Sequence, residues 1–69
     1  MKTTAYHVED SSTAERVCLQ LATHGWTARW NDDQSWTHVY ATHQIGETTR
    51  VNEVVLSIDV NATACQCRR

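Results

Sequence analysis

A chain of 69 residues makes one domain at most, expected here over residues 1–69, and it buries only about 60% of the surface its unfolded form exposes. Leu, Ile and Val number twelve and Phe is missing, which is thin for a globular core, yet the formal charge of −2 lacks the strong imbalance of a disordered chain. That mild acidity disfavours general affinity for phosphate backbones, and a longest apolar run of three residues is far too short to span a membrane.

Three Trp and two Tyr supply large burial areas in place of aliphatics. The thin core suggests a domain that gains from self-association, and a homodimer is expected. The plainer alternative is a monomer held by its aromatics. MKTTAYHVED has no apolar stretch suited to an export signal. Three cysteines are an odd set for a disulfide framework, so the expected setting is the cytoplasm.

The first element, TTAYHV, reads as a strand. The segment SSTAERVCLQLATHGW reads as a helix. Ser12 and Glu15 fit a capping box, in which the hydroxyl and the carboxylate each accept from a free backbone N–H. Ala14, Val17, Cys18, Leu21 and Ala22 fall on one helical stripe. Gly25 is placed to end the helix in the left-handed conformation, with Trp26 folding back onto it. Next, WTARWNDDQSWTHVYATHQ reads as two strands joined by a polar turn, Asn31 to Ser35. In the second of these, Thr37, Val39, Ala41 and His43 share one face, and Trp36, His38, Tyr40 and Thr42 the other.

The last third fits two templates. As a helix, Val51, Val54, Val55, Ile58 and Ala62 form a stripe that leaves out Leu56 and Val60. As a strand, Val54, Leu56, Ile58, Val60, Ala62 and Ala64 alternate strictly. The strand template catches every apolar residue from 54 to 64 except Val55 and suits the β-branched content, so strand is the expectation. The expected fold is α+β, a two-layer sandwich with one helix packed on an antiparallel sheet (β-α-β-β-β). The alternative is the ferredoxin-like β-α-β-β-α-β plait, with ACQCR as its last strand. A long terminal strand would also leave an exposed edge, open to pairing with another chain.

Few constellations suggest chemistry. Cys65 and Cys67, two apart, would point the same way from a strand, and His7 would approach them if that strand paired with the first. These three are weak candidates for a metal site, because a tetrahedral zinc site needs four ligands and the usual Cys-x-x-Cys spacings are absent. Two idle thiols at the C-terminus are the plainer reading. Cys18 reads as a small hydrophobe of the helix stripe rather than a nucleophile. The acidic stretch Asn31-Asp32-Asp33-Gln34 reads as a solvated turn rather than a cation loop. No motif sets a nucleophile beside a base, and no glycine loop cradles a phosphate, so neither enzyme activity nor a cofactor is expected.

The aromatic face carries the functional expectation. Trp36, His38 and Tyr40 on one strand, with Arg29 on its neighbour, would form either a protein interface or a stacking platform for single-stranded nucleic acid. The alternative is that these aromatics are core. The leading expectation is a small non-enzymatic regulatory or inhibitor protein. It would bind a protein partner through an exposed sheet edge or this aromatic face. A single-stranded nucleic-acid module comes second and is not favoured, and a small thiolate/His metal-binding protein comes third.

Overall fold

The computed structural model describes residues 1–33 and 36–65. Its elements are β1 (Lys2–Val8), α1 (Ser11–Thr23), β2 (Thr27–Asp33), β3 (Trp36–His43), a 3-10 turn (Ile45–Glu47), α2 (Thr48–Ile58) and β4 (Thr63–Cys65). The strands pair antiparallel in the order β2-β3-β1-β4. The expected α+β class with a helix on an antiparallel sheet is what is found. Of the two arrangements within that class, the chain adopts the plait.

Helix α1 starts from Asp10, whose carboxylate accepts the Thr13 backbone N–H at 2.8 Å. The cap therefore lies two residues before the expected Ser12. An Asp oxygen satisfies a free N–H of the first turn as well as a Ser hydroxyl does. That contact also holds the Asp10 carboxyl below the usual carboxylate range, through the Thr13 backbone N–H first and the Thr13 side chain second. Ala14, Val17 and Leu21 are fully buried, as the stripe demands, and Ala22 is exposed. The helix ends where expected. Gly25 has φ +89°, its N–H donates to the Ala22 carbonyl at 3.0 Å, and the Trp26 N–H donates to the Leu21 carbonyl at 3.2 Å. This pair of bonds is a Schellman motif, which requires a left-handed residue at the glycine position.

Residues 48–58 are helix, not the expected strand. Val51 and Val55 are fully buried and Val54 and Ile58 pack beside them, while Leu56 and Val60 are exposed, as the helical stripe requires. Packing decides the matter. One face of a four-stranded sheet is wider than one helix of about 10 Å diameter can cover, so α2 lies beside α1 and completes the cover. The β-branched preference of the segment is outweighed by that burial. The terminal strand β4 covers Thr63–Cys65, and the rest of the expected ACQCR strand lies outside the described residues.

The core lies between the helices and the inner sheet face, formed by Tyr6 and Val8 of β1 and Val39 and Ala41 of β3. Among the described residues no buried side-chain nitrogen or oxygen lacks a hydrogen-bond partner. The Tyr6 hydroxyl donates to the Asn52 side-chain oxygen on α2, and burial pushes the phenol's pKa up. His43 lies 2.7 Å from the Gln44 carbonyl through Nδ1 and 2.8 Å from the Thr4 hydroxyl through Nε2. A carbonyl only accepts, so Nδ1 carries the proton and, in the neutral ring, Nε2 accepts from Thr4. Asp59 follows α2 and accepts from the Glu9 and Asn61 backbone N–H groups, each at 3.1 Å, which ties the helix exit to the end of β1. The Trp26 indole N–H donates to Glu47 at 2.9 Å. No helix of the described residues is long and apolar enough to cross a membrane.

Candidate binding face of the sheet

Both helices pack on one face, so among the described residues no helix covers the side chains that alternate to the other face. The strand register decides which residues meet there. His7 stands opposite His38, Ala5 opposite Tyr40, and Arg29 opposite Tyr40 from the other side. Directly paired residues share a face, so Arg29, Trp36, His38 and Tyr40 come together on the open side as expected, joined by His7 from β1.

The rings form a continuous row. His7 stacks on Trp36 with centroids 4.7 Å apart and planes at 26°. His38 meets His7 edge-on at 4.4 Å and 67°, and Tyr40 lies 6.1 Å beyond His38 at 25°. Trp36 is 57% exposed, and His7, His38 and Tyr40 are half-buried. At the far end a concavity of about 620 Å³ is lined by Arg29, Tyr40, Thr3, Thr27 and Thr42. The Thr3 and Thr42 hydroxyls lie 3.2 Å apart across β1 and β3.

The other aromatics divide. Tyr6 and Trp26 are core. Trp30, opposite Val39, has the parity of the helix side but stands on the edge strand and stays 38% exposed. The expected polar turn does not begin at Asn31, because pairing of β2 with β3 continues to Asp33 opposite Trp36; Gln34 and Ser35 lie outside the described residues. Asn31, Asp32 and Asp33 are therefore strand residues, and Asp32 accepts the Thr37 hydroxyl at 2.7 Å. A backbone already committed to the ladder cannot wrap a cation as a loop does.

Of the weak metal candidates, β4 pairs with β1 as that idea required, with Cys65 opposite Ala5 and Thr63 opposite His7. Cys67 lies outside the described residues. Among the described residues no three of His, Cys, Asp and Glu are grouped to hold a metal ion. Cys18 packs against the core, and burial pushes its thiol pKa up, away from the reactive thiolate.

The place of His7 in the row was not anticipated. Its signal was available: alternation along TTAYHV puts His7 opposite in parity to Tyr6 and Val8. Parity alone does not fix the β1–β3 register that sets His7 against His38 and Trp36. Compared with known protein families, with characterised proteins and with solved structures, the chain has no match.

Proposed function

We propose that the chain is a small non-enzymatic regulatory or inhibitor protein that binds a protein partner through the open face of its sheet. The observation that carries this reading is the row Trp36–His7–His38–Tyr40, held on the two central strands. Aromatic side chains on a rigid platform lose little entropy on binding and dominate interface hot spots. The seven-residue edge strand β2 lies alongside and extends the surface. A second copy of the chain is one candidate occupant. A cytoplasmic setting would keep the cysteines as thiols.

Single-stranded nucleic acid fits the face less well. Base stacking needs free ring faces and a cationic track. Here the ring faces are largely turned to one another, Arg29 is the arginine that the strand register sets beside the row among the described residues, and the chain as a whole is acidic.

A photo-crosslinking residue in place of Thr42 tests the reading in host cells. The expected product is a discrete protein adduct that disappears when Trp36→Ala and Tyr40→Ala are added. An adduct at twice the chain mass would identify the partner as a second copy. A nucleic-acid adduct, or a protein adduct indifferent to those substitutions, overturns the reading.

A further inference from the structure

At the Tyr40 end of the open face the strand register lines up a group of polar side chains. Thr27, Thr42 and Thr3 stand in one row across β2, β3 and β1, and Arg29 stands opposite Tyr40 in the next row of this parity. The concavity of about 620 Å³ lies over them. We propose that this concavity is the acidic-residue pocket of the binding face: it takes a side-chain carboxylate from an extended segment of the partner protein lying along edge strand β2. This rests on the protein-binding reading above and adds the chemistry of the partner.

The lining sets the sign of the ligand. Arg29 lines the concavity with Thr3, Thr27, Thr42, Tyr40 and Asn31, and no acidic residue is among the described residues that do so. The acids of the same strand lie elsewhere. Asp32 has the opposite parity and accepts the Thr37 hydroxyl. Asp33 shares the parity of Arg29 but stands four residues on, opposite Trp36, about 13 Å away at a rise of about 3.3 Å per residue. Arg29 is exposed, and its planar fork of donors matches a carboxylate. The Thr3 and Thr42 hydroxyls are 3.2 Å apart. One of them donates to the other, which leaves one hydroxyl proton to donate outward. A single guanidinium among neutral groups suits a monoanion, whereas phosphorylated motifs are held by clusters of arginines.

The topology supplies the route. β2 is the outer strand of the order β2-β3-β1-β4, and among the described residues no strand pairs with its other edge. Such an edge offers backbone donors and acceptors to an incoming strand. Residues of that strand opposite Thr27, Arg29 and Asn31 would share their face of the sheet. The residues between them would fall on the helix side, beside Ala28 and Trp30. Trp30 is 38% exposed and gives them apolar cover. The recognised pattern is therefore an acidic residue with an apolar residue on each side.

The test is a titration of the full isotope-labelled chain with a capped Thr-Val-Glu-Val-Thr peptide, followed by backbone and arginine side-chain resonances. Saturable shifts are expected at Thr27, Arg29, Asn31, Tyr40 and Thr42, with core residues Leu21 and Val51 unmoved. Replacing the peptide's Glu by Gln should weaken binding at least about five-fold, the scale of one charge-assisted hydrogen bond. Arg29→Gln should do the same. The peptide comparison uses the unsubstituted chain, so it decides even where a variant fails to fold. Inorganic phosphate should bind more weakly than the Glu peptide. Equal binding of the Glu and Gln peptides, binding indifferent to Arg29→Gln, tighter binding of phosphate, or no shift at millimolar peptide overturns the proposal. The Thr42 adduct is scored separately: an adduct with a silent titration leaves protein binding standing and overturns the pocket alone.

Discussion

The two faces of the sheet are made by alternate residues of the same strands, yet they differ in burial and in the contacts they make. On β3, Thr37, Val39, Ala41 and His43 are buried beneath the helices, while their neighbours Trp36, His38, Tyr40 and Thr42 keep access to solvent. Every polar group named on the inner face has a fixed partner: Tyr6 with Asn52, Thr37 with Asp32, His43 with Thr4 and Gln44. The outer face carries ring-on-ring contacts beside the Thr3–Thr42 hydroxyl pair, and it keeps one well-exposed indole, Trp36. On the proposed reading, stability and recognition are separated by a single step along the strand.

If that separation is real, substitutions on the two faces must have different consequences. The largest effect is expected from Leu21→Ala, which empties a fully buried position beneath α1. It should cost about 2–5 kcal/mol in a urea titration, enough to unfold a domain this small. A loss below about 1 kcal/mol would mean that α1 does not seal the inner face. Tyr6→Phe should cost about 1 kcal/mol by removing the bond to Asn52. It should also change the alkaline limb. Burial raises the folded-state pKa of Tyr6, so its contribution is complete below the unfolded-state value and is lost as pH rises through the folded one. The Phe variant should lack that part of the alkaline fall in stability.

Trp36→Ala is the counterpart on the outer face. It should change stability by only about 0.5 kcal/mol while abolishing the partner adduct; a multi-kcal loss would mark Trp36 as core and break the comparison. The smallest effect belongs to a group on neither face. The Thr13 N–H lowers the pKa of Asp10 in the folded state, so its stabilising contribution is present above the unfolded-state value and fades as pH falls through the folded one. Asp10→Asn should flatten the acid limb of the stability curve measured by denaturation, with the neutral-pH structure intact.

Much of the inner face was legible because helix α1 obeys local rules. Its stripe and its glycine stop are written within sixteen consecutive residues. Helix α2 was not, because residues 54–64 satisfy a period of two as well as a helical one. The choice between them lies in the width of the sheet, which no local window contains. Val51 was the available clue: it sits one helical turn before Val55, and the strand template has no use for it. The outer face was half legible. Alternation placed Trp36, His38, Tyr40 and Arg29 together, whereas His7 joined them through a register that pairs residues about thirty positions apart. The start of α1 was misplaced for a simpler reason, since Asp10 and Ser12 are both competent cap residues and local sequence does not separate them.

The strand order has a consequence for how the molecule is made. β1 is synthesised first, but it occupies an interior position between β3 and β4, and neither neighbour follows it directly in the chain. At about 5–20 residues per second of synthesis, β1 emerges seconds before β3 exists to receive it, and β4 arrives last of all. In that interval α1 and then the β2–β3 hairpin are the units with local contacts to form, while β1 waits with both backbone edges unpaired. Closure of the sheet is then a single late event that brings distant segments together, the kind of step that topology makes slow. A nascent chain stalled before residue 63 would present β1 with one permanent open edge, and such an edge readily pairs with another copy.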